Sequence, residues 1–96
     1  MKDILIQAIN ERKYITFEYS GLEREAQPAA IGISSAGKPV LRCYQTAGGH
    51  ITPGHEWNLC ELSKIESLHV LNKTFLSDPP GYKKGDKGMS ILFNEL

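Results

Sequence analysis

Residues 43–60, CYQTAGGHITPGHEWNLC, bring two cysteines and two histidines into one short stretch. These side chains ligate zinc or, as a thiolate beside an imidazole, serve as a nucleophile and its base. The spacing argues against zinc. In a hairpin centred on GGHITPGHE, Cys43 and Cys60 lie on facing strands near the same level. His50, seven residues past Cys43, lies about 20 Å away at the rise of an extended chain. One ion cannot span that gap, and of the pair spacings of structural zinc sites only H-x₃₋₅-H is present, at His50 and His55. The expectation is a hairpin with buried or half-buried cysteines, a flexible polar tip and no metal. His69 with either cysteine makes a poor nucleophile–base pair, because neither cysteine precedes a helix N-terminus that would lower its pKa. TAGG, ISSAGK and GYKKGDKG carry glycines but match neither phosphate-loop pattern. Asp78 and Asp86 read as solvated carboxylates of a turn-rich loop. With no acid–base or nucleophile set, the chain is expected to be non-enzymatic and to hold no cofactor.

The elements that position these residues follow from periodicity. DILIQAINERK, residues 3–13, places Ile4, Leu5, Ala8, Ile9 and Arg12 at helical spacing, with Asp3 near the N-terminus and Arg12 and Lys13 near the end. From Tyr14 the period becomes two: Ile15, Phe17 and Tyr19 alternate with Thr16 and Glu18, which predicts a strand. A second strand spans about residues 24–33 and contains Pro28, whose missing N–H suits a strand start, an edge or a bulge. After the turn SSAGK, a third strand, PVLRCYQT, sets Val40, Arg42 and Tyr44 on one face and Leu41, Cys43 and Gln45 on the other. WNLCEL and ESLHVL are strands four and five. LSDPPGYKKGDKG is a loop, and MSILFNEL is long enough for about two helical turns. The fold class expected is mainly β (α+β): a small, bent antiparallel barrel of about five strands, with an N-terminal helix and a short C-terminal helix. Residues 1–75 form the domain and 76–96 an extension.

Ninety-six residues, 41% hydrophobic and 23% charged, are enough for one small core. Eleven basic and eleven acidic side chains cancel, so nucleic-acid binding would need positive charge gathered on one face. No apolar run reaches the length of a membrane span, and two cysteines without a secretory signal fit a reduced, cytoplasmic setting.

The order of features over residues 4–75 resembles the WYL domain, a bacterial and phage regulatory module with an SH3-like, Sm-like β-barrel. AINERKYITFEY is similar to its opening helix and strand, REAQPAAIGI to its arginine, proline and second strand, and GKPVLRCYQT to the strand that carries the family's name. WNLCELSKIESLHVLNKTF is similar to the closing segment. The W-Y-L tripeptide falls on Pro39, Val40 and Leu41, so the leucine alone is kept and the aromatic role passes to Tyr44 or Trp57. The family's F-R-L-D-R-I segment falls on residues 60–65, with glutamate at one basic position and Lys64 at the other. The resemblance implies a sensor of nucleotide or nucleic-acid ligands, with positive charge from Arg24, Arg42 and Lys64. Residues 3–13 cannot form the helix-turn-helix that family members commonly carry, which implies action in trans or by sequestration.

Arg42 and Tyr44, on one face of the third strand, would offer a guanidinium for phosphate and a ring for base stacking, with Gln45, Trp57 and Arg24 completing the pocket. The expected ligand is a nucleotide, a nucleotide-derived signal or a short single-stranded nucleic acid. The alternative is an assembly module, forming homo-oligomers or docking on a partner, with Tyr44 and Trp57 as interface anchors.

Overall fold

The computed structural model describes residues 1–49 and 54–96. His50, the first histidine of the cysteine-bounded stretch, therefore lies outside the described residues. The chain opens with helix α1 (Lys2–Asn10), whose Leu5, Ala8 and Ile9 are buried while Ile4 is exposed. The helix ends earlier than its periodicity predicts. Arg12 takes a left-handed backbone conformation (φ 52°), and a residue in that conformation terminates the helical ladder.

Strands β1 (Lys13–Tyr19), β2 (Leu22–Ser34), β3 (Pro39–Gly48) and β4 (Trp57–Glu61) follow as an antiparallel meander. A short 3₁₀ turn, Leu62–Lys64, leads into β5 (Glu66–Thr74), which returns to pair with β1. The strand order is β4-β3-β2-β1-β5, and the sheet is not closed.

The segment expected to be a C-terminal helix is instead strand β6 (Met89–Glu95), the sixth of the sheet. A brief apolar run such as Ile91, Leu92 and Phe93 does not distinguish helix from strand by period, so available pairing decides. β1 occupies β2 only as far as Ala26, and β6 takes residues 30–34 of the same strand. Between those halves, at Pro28 and Ala30, the β2–β3 register shifts, so the proline sits at a bulge, where its missing donor costs least. Gly32 makes the second pairing possible, because a Cβ there would overlap the Ile91 carbonyl oxygen.

The core joins the helix to the inner face of the sheet: Leu5, Ala8 and Ile9 meet Ile15, Phe17, Ala26, Ile31, Leu41, Cys43, Cys60 and Ile65. Ile15 and Phe17 alternate as expected, with Tyr19 packed at the margin. Cys43 and Cys60 both point inward but are not opposite one another. Cys60 faces Leu41 and Cys43 faces Asn58, which leaves the thiols diagonal.

Candidate functional site

The outer face of the β3–β4 hairpin is built by strand alternation. Arg42 lies opposite Leu59 and Tyr44 opposite Trp57, all directed away from the core face of Leu41 and Cys43. The segment between β5 and β6 crosses this face. Trp57 donates its indole N–H to the Pro80 carbonyl (2.8 Å), and its ring stacks with Tyr82 (centroids 6.5 Å, planes 30° apart). Tyr44 meets Trp57 edge-on at 5.3 Å, an arrangement that suits the charge distributions of both rings. Tyr82 donates its hydroxyl to the carbonyl of Leu96 (3.0 Å), which ties the crossing segment to the end of β6.

A cleft of about 330 Å³ opens between the hairpin and this segment, lined by Arg42, Trp57, Tyr82 and the basic turn that holds Lys83, Lys84, Asp86 and Lys87. Arg42 donates from Nε (2.7 Å) and Nη2 (3.1 Å) to the two oxygens of Asp86. The Arg42 guanidinium holds the Asp86 carboxyl below the usual aspartate range against the opposing effect of burial, and the Gly88 N–H assists (2.8 Å). The same pairing raises the Arg42 pKa, so both partners are fully charged at neutral pH. Lys83, Lys84 and Lys87 enter no ion pair among the described residues. The cleft therefore combines two aromatic rings with three lysines that enter no ion pair among the described residues.

Of the residues expected to bind ligand, the structure brings Arg42 and Trp57 together here, with Tyr44 behind Trp57. Three others lie elsewhere. Arg24 stacks over Tyr19 (5.3 Å) and donates to its carbonyl. Gln45 faces the interior and donates to the carbonyls of Ala47 and Gly49, fixing the end of β3. Lys64 pairs with Glu61 at 2.9 Å on the exposed 3₁₀ turn, and Glu61 also receives Lys38. Asp86 is not the solvated carboxylate expected from its turn setting: its side chain is only 10% exposed. Sequence reasoning also missed Tyr82 and the three lysines. Their signal was present in GYKKGDKG, an aromatic beside clustered lysines, although it matches no phosphate-loop spacing.

The other chemistry-bearing residues are dispersed. Among the described residues no three His, Cys, Asp or Glu side chains converge as a metal site. The Cys43 thiol is pushed well up by its hydrogen bond with Cys60 and by burial, which disfavours a nucleophilic thiolate there. Comparison of the chain with family models, curated proteins and solved structures found no match.

Proposed function

We propose that this chain is a non-enzymatic, WYL-like ligand-binding module that takes a nucleotide, or a nucleotide-derived signal, in the cleft between the β3–β4 hairpin and residues 81–87. One observation carries the reading: Trp57 and Tyr82 line the same cleft as Lys83, Lys84 and Lys87. Aromatic faces stack a base of any identity, and ammonium groups attract phosphate, so this pairing of side chains suits a ligand with both parts. The cleft volume lies at the lower end of small-molecule sites and fits a mononucleotide better than a long strand. An SH3-like, Sm-like barrel architecture is part of the proposal. The strand order and the 3₁₀ turn between β4 and β5 support it, as does the position of the closing-segment resemblance on β4 and β5. A cytoplasmic site of action, in trans on a partner or by sequestering the ligand, belongs to the same reading. No helix among the described residues is long and apolar enough to cross a membrane.

Calorimetry with AMP, ATP and pyrophosphate tests it. The wild-type chain is expected to bind ATP, and Lys83→Ala with Lys84→Ala should weaken that binding at least about tenfold, since two charge-assisted contacts are lost. Absence of binding to all three, in a protein that melts cooperatively, refutes the reading.

A second reading, assembly into homo-oligomers, is favoured by β6. This strand exposes Ile91 (54%), Leu92 (39%) and Phe93 (39%) in sequence. It pairs on one side with β2 and has no second strand partner among the described residues. An apolar strand with a free edge is a template for another strand, and a small core gains from such pairing. The two readings use different surfaces and are compatible.

A further inference from the structure

Among the described residues that line the cleft, Arg42 alone has a forked donor geometry suited to phosphate, and that fork is already occupied. Its occupant comes from the same short turn that supplies the lysines. Asp86 reaches back to Arg42, while Lys83, Lys84 and Lys87 on either side of it have no carboxylate partner among the described residues. An incoming phosphate can make the same two hydrogen bonds with Arg42 and, unlike Asp86, carries enough charge to engage the neighbouring ammonium groups as well. Besides the Arg42–Asp86 pair, the turn is tied to β6 by the Gly85 N–H, which donates to Glu95 Oε2 (3.0 Å). Gly81 and Gly85 adopt positive φ (77° and 74°), and nothing lies within contact of a side chain placed at Gly85. Its near end stays fixed through Pro80 and Tyr82, and its far end continues into β6.

We propose that Asp86 is a built-in competitor for the ligand's phosphate: an anion entering the cleft displaces its carboxylate from Arg42 and frees the turn of residues 83–88. The proposal rests on the nucleotide-binding reading of this cleft and adds its regulation. The closed turn is the ligand-free form; the freed turn, with its lysines folded over the bound phosphate, is the surface that differs when ligand is present. Ligand binding is thereby converted into a change of shape beside β6.

The test is a double-mutant cycle on the full chain with ATP and pyrophosphate as probes, read by calorimetry and by emission of Trp57, the single tryptophan. Asp86→Asn is the chosen variant because the amide oxygen can still accept the Gly88 N–H. It should bind both probes about fivefold tighter or more, as a charge-assisted competitor has been removed. Arg42→Gln should weaken binding, and in that background Asp86→Asn should change affinity by about twofold or less, because the fork they contest is gone. Gly88→Ala, which crowds the Arg42–Asp86 pair without altering charge, should also tighten binding and supplies a second variant if Asp86→Asn folds poorly. If wild type binds but neither Asp86→Asn nor Gly88→Ala binds more tightly, competition by Asp86 is overturned while the cleft reading stands. A gain from Asp86→Asn that persists in full with Arg42→Gln overturns it equally, as it would come from the charge field alone. If wild type and all variants fold and none binds ATP, pyrophosphate or AMP, the cleft reading fails and the competitor with it.

Discussion

Gly88 shows how closely the Arg42–Asp86 pair is fitted. A Cβ at that position would come within 2.9 Å of Arg42 Nη2 and 3.1 Å of the Asp86 carboxylate, so an added side chain presses on both groups and at least one of them must shift. The pair is only partly exposed, at 28% for the arginine and 10% for the aspartate, and its hydrogen bonds are shielded accordingly. Breaking it by Arg42→Ala should cost about 1–3 kcal/mol of stability, the range for losing a charged hydrogen-bond partner, as read from urea unfolding. Its pH dependence has a definite sign. The Asp86 pKa is lowered by Arg42, so its stabilisation is complete above the ordinary aspartate value of about 3.9 and is lost as pH falls through the lower folded-state value. Trp57 emission should therefore stay constant from neutrality down to that region and change only in stronger acid, with the transition absent in Asp86→Asn. A transition near neutral pH would contradict the assignment. Arg42 and Tyr44 were legible as residues of one strand face because strand alternation alone sets them together. Asp86 was not, because its partner lies forty-four positions away in sequence and no local pattern reports such a contact.

At the scale of elements, α1 and β1 were legible from the spacing of their buried residues, and β2 to β5 from strand-forming residues bounded by turn signals. β6 failed that test. It exposes apolar residues on both faces, and its identity depends on the vacant half of β2, a tertiary fact absent from the local sequence. Gly32 is where this dependence can be tested. Gly32→Ala should disturb β6 and not β1, since the overlap is with the Ile91 carbonyl and β1 pairs earlier along β2. Backbone shifts forced by an added methyl group cost about 1–3 kcal/mol, so a measurable loss in urea unfolding is expected. Amide exchange should locate it: protons of residues 89–95 should exchange faster in the variant, and those of Ile15 and Phe17 should not change by more than the global loss of stability. Uniform acceleration across the chain, or none in β6, would remove Gly32 from this role.

At the scale of the whole molecule, the cleft and the β6 edge use opposite chemistry, which makes them separable. The cleft has three lysines without ion-pair partners among the described residues, whereas β6 presents Ile91, Leu92 and Phe93 with no charged residue between Met89 and Asn94. Natural sheet edges are commonly protected by a charge that a second strand would have to desolvate, and the only charge of this strand, Glu95, stands at its very end. If β6 mediates assembly, Leu92→Lys inserts that charge while leaving the β2 pairing intact, because Leu92 is already substantially exposed. Sedimentation should then show wild type as a dimer or larger and Leu92→Lys as a monomer, with little change in ATP affinity. The double variant Lys83→Ala with Lys84→Ala should give the opposite result, weak ATP binding with the association state unchanged. Ionic strength offers the same separation without mutation. Raising salt from 50 to 500 mM shortens the Debye length from about 14 to about 4 Å and should weaken ATP binding, while an apolar edge contact should hold or strengthen. A wild-type chain that remains monomeric at high protein concentration would eliminate the β6 interface and leave the cleft as the sole binding surface of the proposal.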